Sequence, residues 1–243
     1  MRPTRGTLLL ALSFFLPFAI MADTREHVIL LHGLCRTNAS MTSMADALTR
    51  AGYIVHNLDY PSRTTFITQL ADDTIGPALA ACHTQGAEKI HFVTHSLGGI
   101  LVRSYFSRHV PDAILGRVVM LGPPNQGSEV ADHLGDWWLY KKINGPAGQE
   151  LGTASDATPT RLGPANFSLG IIAGNRSINW INSLILPGPD DGKVTVEKTK
   201  LQEMQDHIVI PASHPFLMQN AEAIRQTGIF LRTGKFERIS SKP

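Results

Sequence analysis

A chain of 243 residues, 43% hydrophobic and 17% charged, has the size and balance of one globular α/β domain. Its formal charge of +2 supplies no strong basic field, which sets nucleic acid aside as a partner. No internal repeat or low-complexity tract interrupts it.

The first 22 residues have the form of an export signal. Arg2 and Arg5 give a positive start, Leu8 to Ile20 is almost wholly apolar around Ser13 and Pro17, and Ala22 is a small residue at a cleavage point. The run is short for a membrane span, and retention as an N-terminal anchor is the alternative. No cysteine follows it closely, so lipid attachment is not expected there. Removing residues 1–22 deletes two arginines and leaves 20 basic against 20 acidic side chains. The expectation is an exported protein, periplasmic or secreted, with residues 23–243 as the folded domain.

From Arg25 onward, strand and helix patterns alternate. His27 to Leu31 reads as a short buried strand ending in His32-Gly33. Met41 to Ala51 has helical spacing, with Asn38 or Ser40 as cap and Gly52 as stop. Tyr53 to Leu58 is the next strand. Phe66 to Cys82 is a helix that Gly76-Pro77 should kink or interrupt. Ile90 to Val93 is an apolar strand, and Gly98 to His109 a helix. Strands follow at Val118 to Leu121, Leu169 to Ala173 and His207 to Ile210, and a last helix at about Pro215 to Phe230. Residues 126–168, with Trp137, Trp138, Tyr140 and many glycines and prolines, fit the alternation poorly. They read as an excursion from the sheet, a small cap near the site, or else as a surface connection whose aromatics fill the core. Short apolar strands separated by helices predict a parallel sheet covered on both faces.

In such sheets ligands bind at the carboxyl ends of the strands. That selects His32-Gly33-Leu34, Asp59-Tyr60, Ser96, the Gly122 to Gly127 loop, Asp190-Asp191-Gly192 and His214. The central stretch is Thr94-His95-Ser96-Leu97-Gly98, a strand that turns at once into a helix. That pattern is the nucleophile elbow, G-x-S-x-G, with threonine for the first glycine. A serine hydroxyl needs a base to take its proton and an acid to orient that base. The fold's chain order is serine, acid, histidine, and Ser96, an aspartate near 190 and His214 follow it. Asp190 and Asp191 share one turn. Asp191 is favoured because Gly192 permits the turn behind it, and Asp206 ranks last because it enters a strand. His207 stands at the wrong end of that strand, and His95 is expected to point away from the serine's site. The oxyanion of acyl transfer needs backbone N–H donors. The amide of Leu97, at a helix N-terminus, is one candidate, and the loop at His32-Gly33-Leu34 supplies the second, through Leu34. His32 is read as structural.

Cys35 and Cys82 are the two cysteines. An oxidising compartment permits a bond between them, but geometry decides it. Two distant thiols and ten histidines without zinc-site spacing give no metal expectation, and a Ser-Asp-His set needs no cofactor.

At these residues the chain resembles the α/β-hydrolase superfamily, in its bacterial lipase and esterase-like branch. The resemblance is carried by Leu30-Leu31-His32-Gly33-Leu34, by Phe92-Val93-Thr94-His95-Ser96-Leu97-Gly98-Gly99, and by Asp191-Gly192-Lys193-Val194 with His214. Gly122-Pro123-Pro124-Asn125-Gln126-Gly127-Ser128 is similar to the Pro-x-x-Gly-Ser loop of those lipases. The resemblance spans roughly residues 26–232 and implies Ser96, Asp191 and His214 as a triad with Leu34 and Leu97 as oxyanion donors. The short N-terminus leaves no room for the family's first two strands, so the α/β-hydrolase fold should be reduced to about six mainly parallel strands. The implied activity is hydrolysis of carboxylic esters, of lipid or other apolar acyl groups. Transient membrane contact is compatible with it. The same triad would serve an acyltransferase, thioesterase or amidase, and a hydrolase scaffold can also serve as a non-catalytic binding protein. The sequence leaves oligomeric state open.

Overall fold

The computed structural model describes residues 25–135, 137–178, 183 and 185–238; the expected export signal at residues 1–22 lies outside them. Six apolar runs form six strands: β1 (Glu26–Leu31), β2 (Ile54–Leu58), β3 (Lys89–His95), β4 (Leu115–Leu121), β5 (Ser168–Gly174) and β6 (Asp206–Ile210). They make one sheet in the order β2-β1-β3-β4-β5-β6, and every neighbouring pair is parallel. The reduced six-stranded sheet is thus the observed architecture. Parallel strands need crossovers, and helices supply them: α1 (Thr42–Arg50), α2 (Ile67–Thr84), α3 (Leu97–Phe106), α4 (Glu129–Leu134), α5 (Trp138–Gln149), α6 (Thr158–Arg161) and α7 (Val196–Thr199); α8 (Ala221–Thr233) follows the last strand.

Both faces of the sheet are buried, which is why its strands are continuous apolar runs rather than alternating ones. Ile29, Leu31, Phe92, Val118 and Ile171 meet Ile75, Leu79, Ile100 and Phe106 on the face that carries α2 and α3. Val28, Leu30, Val93, Val119 and Ile172 meet Met44, Leu48, Phe230 and Leu231 on the face that carries α1 and α8. Each such large side chain contributes about 1.5–3 kcal/mol by leaving water. From β1 the chain first moves outward to β2, then returns across β1 to β3. The connections at the ends of β1 and β3 therefore diverge, and a crevice opens between them.

Three local expectations change. Neither Asn38 nor Ser40 caps α1: a 3-10 turn over Asn38–Met41 precedes it, and Ser40 Oγ instead donates to Thr37 O at 2.7 Å. The helix α2 is not interrupted at Gly76-Pro77 but runs 18 residues through Pro77. Burial of Ile67, Leu70, Ala71, Ile75, Ala78 and Leu79 along one side outweighs the one lost N–H bond. The last helix is divided. A 3-10 helix spans His214–Gln219, and Asn220 then caps α8 by accepting from the Glu222 and Ala223 amides at 2.9 and 3.1 Å.

Candidate active site

The turn from β3 into α3 has no room to spare. Ser96 stands between them at φ 52, ψ −119, a left-handed conformation rare for any side-chain-bearing residue. It is held there because its N–H donates to Leu121 O at 2.9 Å while its C=O accepts from Gly99 N–H at 3.0 Å. Gly98 passes so close to the end of β1 that an added Cβ would lie 2.7 Å from Leu31 O and 3.0 Å from His32 O. On the other side, a Cβ at Gly33 would lie 2.7 Å from His95 Nδ1 and 3.1 Å from Ser96 Cβ. Only glycine lets these two loops close over the serine.

Thr94 takes the motif's first glycine position. It is fully buried, level with Leu31 on β1 and Met120 on β4, and its hydroxyl has no partner among the described residues. The departure thus costs an unpaired hydroxyl in the sheet rather than the turn itself. Thr94→Val keeps the shape and removes that hydroxyl. It should leave activity unchanged and raise unfolding free energy by about 1 kcal/mol, read by urea denaturation.

The structure brings Ser96, His214 and Asp191 into one hydrogen-bonded chain. His214 Nε2 lies 3.0 Å from Ser96 Oγ, and His214 Nδ1 lies 2.8 Å from Asp191 Oδ2. Asp191 is completely buried, and its other oxygen accepts from the Lys193 and Val194 amides at 3.0 and 2.9 Å. With both oxygens accepting, the carboxylate fixes the proton of His214 on Nδ1 and leaves the Nε2 lone pair facing the hydroxyl. The imidazole's backbone is pinned as well: its N–H donates to Asp191 O at 2.8 Å.

The other candidates have other partners. Asp190 Oδ1 accepts from Gly192 N–H at 2.7 Å and Ser183 Oγ at 2.9 Å, so it shapes the turn that presents its neighbour. Asp206 accepts from Phe236 N–H at 2.7 Å, and His207 Nε2 lies 3.0 Å from Thr199 Oγ1; neither borders the serine's pocket. His95 is a correction. It does not point away: its ring centroid is 4.7 Å from that of His214, and its Nε2–H donates to the His214 carbonyl at 3.0 Å. Burial, then the neighbouring His214, hold its pKa well below the usual imidazole value, so it stays neutral and positions His214. The reason lies in β3: His95 follows Val93 onto the face where Leu217 and Met218, just beyond His214, are packed. Two residues of register would have placed it there from sequence.

The amide of Leu97 opens α3, and that of Leu34 lies in the loop after β1; neither has an acceptor among the described residues. That loop is tied down by a partly legible clamp. Tyr60 donates its hydroxyl to His32 O at 2.6 Å and its N–H to His32 Nε2 at 3.3 Å, and the rings stack 4.1 Å apart. His32 Nδ1–H donates to Gly33 O at 2.9 Å. Burial keeps the His32 pKa low and pushes the Tyr60 phenol up, so both act as neutral struts. Above Ser96 lies a cavity of about 220 Å³. Leu34, Pro124, Val130, Ala131, Leu151 and Ile178 give it apolar walls, and Arg36 and Lys193 stand on its border. Val130, Ala131 and Leu151 come from the segment between β4 and β5 that departs from the strand-helix alternation. Cys35, exposed, and Cys82, buried, are both free thiols.

Residues 26–165 match the family model described as alpha/beta hydrolase fold. The chain is similar in structure to the mature form of the lipase BlEst2 from Bacillus licheniformis, with TM-score 0.68 and 20% identity over 86% of this chain and 91% of that one. Phospholipase PlaB from Legionella pneumophila superposes with TM-score 0.64 and 18% identity, over 86% of this chain and 59% of that one. A metagenomic carboxyl esterase does so with TM-score 0.58 and 19% identity, over 82% and 67%. No curated protein matches the chain by sequence.

Proposed function

The chain belongs to the alpha/beta hydrolase fold family, and on that premise we propose that it is a serine hydrolase cleaving carboxylic esters of apolar acyl groups. The observation that carries this reading is the chain from Ser96 Oγ through His214 to Asp191, at 3.0 and 2.8 Å, on the floor of an apolar cavity. The Ser96 oxygen attacks the ester carbonyl as its proton passes to His214 Nε2. The imidazolium is steadied by Asp191, and the carbonyl oxygen, now an oxyanion, takes hydrogen bonds from the Leu34 and Leu97 amides. Collapse breaks the bond to the alkoxide, which leaves with the proton from His214. Water then attacks the acyl-serine, gives its proton to His214, and the second collapse returns that proton to Ser96.

The segment 126–168 serves in this reading as the pocket's wall, since Ser128, Val130, Ala131, Asn144 and Leu151 all line the cavity. Its volume is below the roughly 300–1,000 Å³ that encloses a drug-sized ligand. Short acyl groups therefore fit and long chains must run out of the mouth. With p-nitrophenyl esters, kcat/KM for butanoyl to octanoyl groups should exceed that for palmitoyl by roughly tenfold or more. A flat or rising profile would reject this assignment of the acyl site. A fluorophosphonate probe tests the nucleophile itself: one adduct per chain on the Ser96 peptide is expected, and an unreactive protein would sink the hydrolase reading.

A further inference from the structure

Far from Ser96, at the amino ends of the strands, a second set of chemically capable side chains converges. His27 is the second residue of β1 and faces α2 together with Ile29 and Leu31. His56 lies two positions beyond Ile54, the partner of His27 on the edge strand β2, so the two imidazoles are diagonal neighbours on one face. Cys82, in the last turn of α2, closes over them. His27 and Cys82 are wholly buried and His56 is half-buried. Each offers one ligand atom, and the three atoms all lie within 4.8 Å of one another.

The pair geometry is specific. His27 Nδ1 and His56 Nε2 are 2.8 Å apart, the ring planes differ by 20°, and the centroids are 5.0 Å apart. That centroid distance is near the largest a 2.8 Å contact permits, so the rings meet edge to edge and the two nitrogens face each other head-on, one donating to the other. The remaining nitrogen of His27, Nε2, is buried without a partner, and the Cys82 thiol has none among the described residues. An apolar layer of Ile, Leu and Ala thus covers an imidazole pair bonded to itself, with one further ring nitrogen and a thiol left over. Polar groups buried so are costly unless something uses them.

We propose that His27, His56 and Cys82 form a binding site for a borderline-soft transition-metal ion, zinc(II) in first place. Two imidazoles and a thiolate suit zinc and copper, whereas magnesium and calcium prefer oxygen ligands that this cluster lacks. Zinc–nitrogen bonds of about 2.0–2.1 Å in a tetrahedron place two nitrogens roughly 3.3 Å apart, so the two rings must part by about half an ångström and tilt from their head-on contact toward a shared ion, with the Cys82 sulfur, within 4.8 Å, closing on it. On coordination the proton between the imidazoles moves to the other nitrogen of its ring, and the Cys82 thiol proton leaves to solvent. A fourth position is left for water, reached past the half-exposed His56. The bound ion would tie the edge strand β2 to β1 and α2. It lies roughly 13 Å along β1 from the strand's end at Leu31, beyond which comes the loop that carries Leu34, so its role is structural and separate from the proposed hydrolase site.

The test uses the whole folded domain stripped of metal and titrated with Co²⁺ and with Zn²⁺. One Co²⁺ per chain should bring in a thiolate-to-metal charge-transfer band that Zn²⁺ bleaches by displacement, and Zn²⁺ at a hundred times its Kd should raise Tm by roughly 5–10 °C. His56→Asn and Cys82→Ser should each weaken binding by about a hundredfold or more and remove the Tm shift. Their metal-free ester hydrolysis should stay within about twofold of wild type, which also shows that they fold. No charge-transfer band in the wild type overturns the site, as does a band or affinity that survives in both variants. If Cys82→Ser fails to fold, His56→Asn alone decides: retained affinity overturns the site, and its loss supports it.

Discussion

Ser96→Ala should lower kcat/KM on a short-chain ester by roughly 10⁴–10⁶-fold while the protein remains folded, and adding His214→Ala should lower it little further. Removing either end of a proton-handling unit stops the whole unit, so the double variant should match the single ones rather than multiply their losses. Asp191→Asn should cost about 10⁴-fold, because an amide can donate where the carboxylate only accepts, and His214 would then turn its proton toward Ser96. The same position carries a stability signature that separates a strained nucleophile from an ordinary turn serine. Ser96 at φ 52, ψ −119 stores on the order of 1–3 kcal/mol that Ala shares and Gly escapes. Ser96→Gly should therefore be inactive yet more stable than Ser96→Ala by about 1 kcal/mol, measured by urea unfolding. Equal stabilities would mean that the turn is not under strain. Full activity in Ser96→Ala would end the nucleophile assignment.

Much of this site is legible in the sequence because a parallel sheet gathers the ends of its strands. Ser96, Asp191 and His214 are separated by up to 118 residues, yet each follows a strand in a continuous sheet order, and the switch between β1 and β3 opens the crevice they share. What escapes has a common cause, which is that tertiary wrapping decides where polar side chains go. His95 reads as a side chain facing away, but the 3-10 helix that begins at His214 returns across that face. The break at Asn220 is signalled by an Asn cap with Glu222 two residues on, and the apolar pattern on both sides of it hides the boundary. Pro77 reads as a breaker because its own lost N–H bond is a local property, whereas the packing that overrides it is not. His27, His56 and Cys82 have no motif spacing, since they arrive from two strands and a helix through two crossovers.

Arg103 shows the same wrapping at its strongest, and its removal should be strongly destabilising. On an amphipathic helix a lone arginine reads as a solvent-facing residue. Here it is only 4% exposed on α3, because the segment after β4 folds back over that helix. Nη1 donates to the Asn125 carbonyl at 2.9 Å and to its side-chain oxygen at 3.3 Å, and Nη2 donates to Pro159 O at 3.0 Å and Gly163 O at 2.7 Å. No carboxylate is among these partners. Burial pushes the guanidinium pKa down to about 10, so it remains charged at neutral pH. A lowered pKa in a base means that the unfolded chain binds this proton more tightly. Its burial thus opposes folding at neutral pH, and that opposition fades only as pH climbs above about 10. What offsets it is the fork geometry: one planar group satisfies three main-chain carbonyls and an amide oxygen at once. Arg103→Met takes the donor from those acceptors in the interior and should cost about 3–5 kcal/mol, lowering Tm by roughly 10 °C. Arg103→Lys keeps the charge but offers a single ammonium to four diverging acceptors, and should lose about 2 kcal/mol. Because Arg103 does not line the cavity over Ser96, kcat/KM measured well below the new Tm should stay within about tenfold of wild type. A near-neutral Arg103→Met would show that the loop from Gly122 to Ser128 holds its shape without the arginine. The pocket walls at Pro124 and Ser128 would then owe their positions to Asn125 Nδ2 donating to Thr199 O instead.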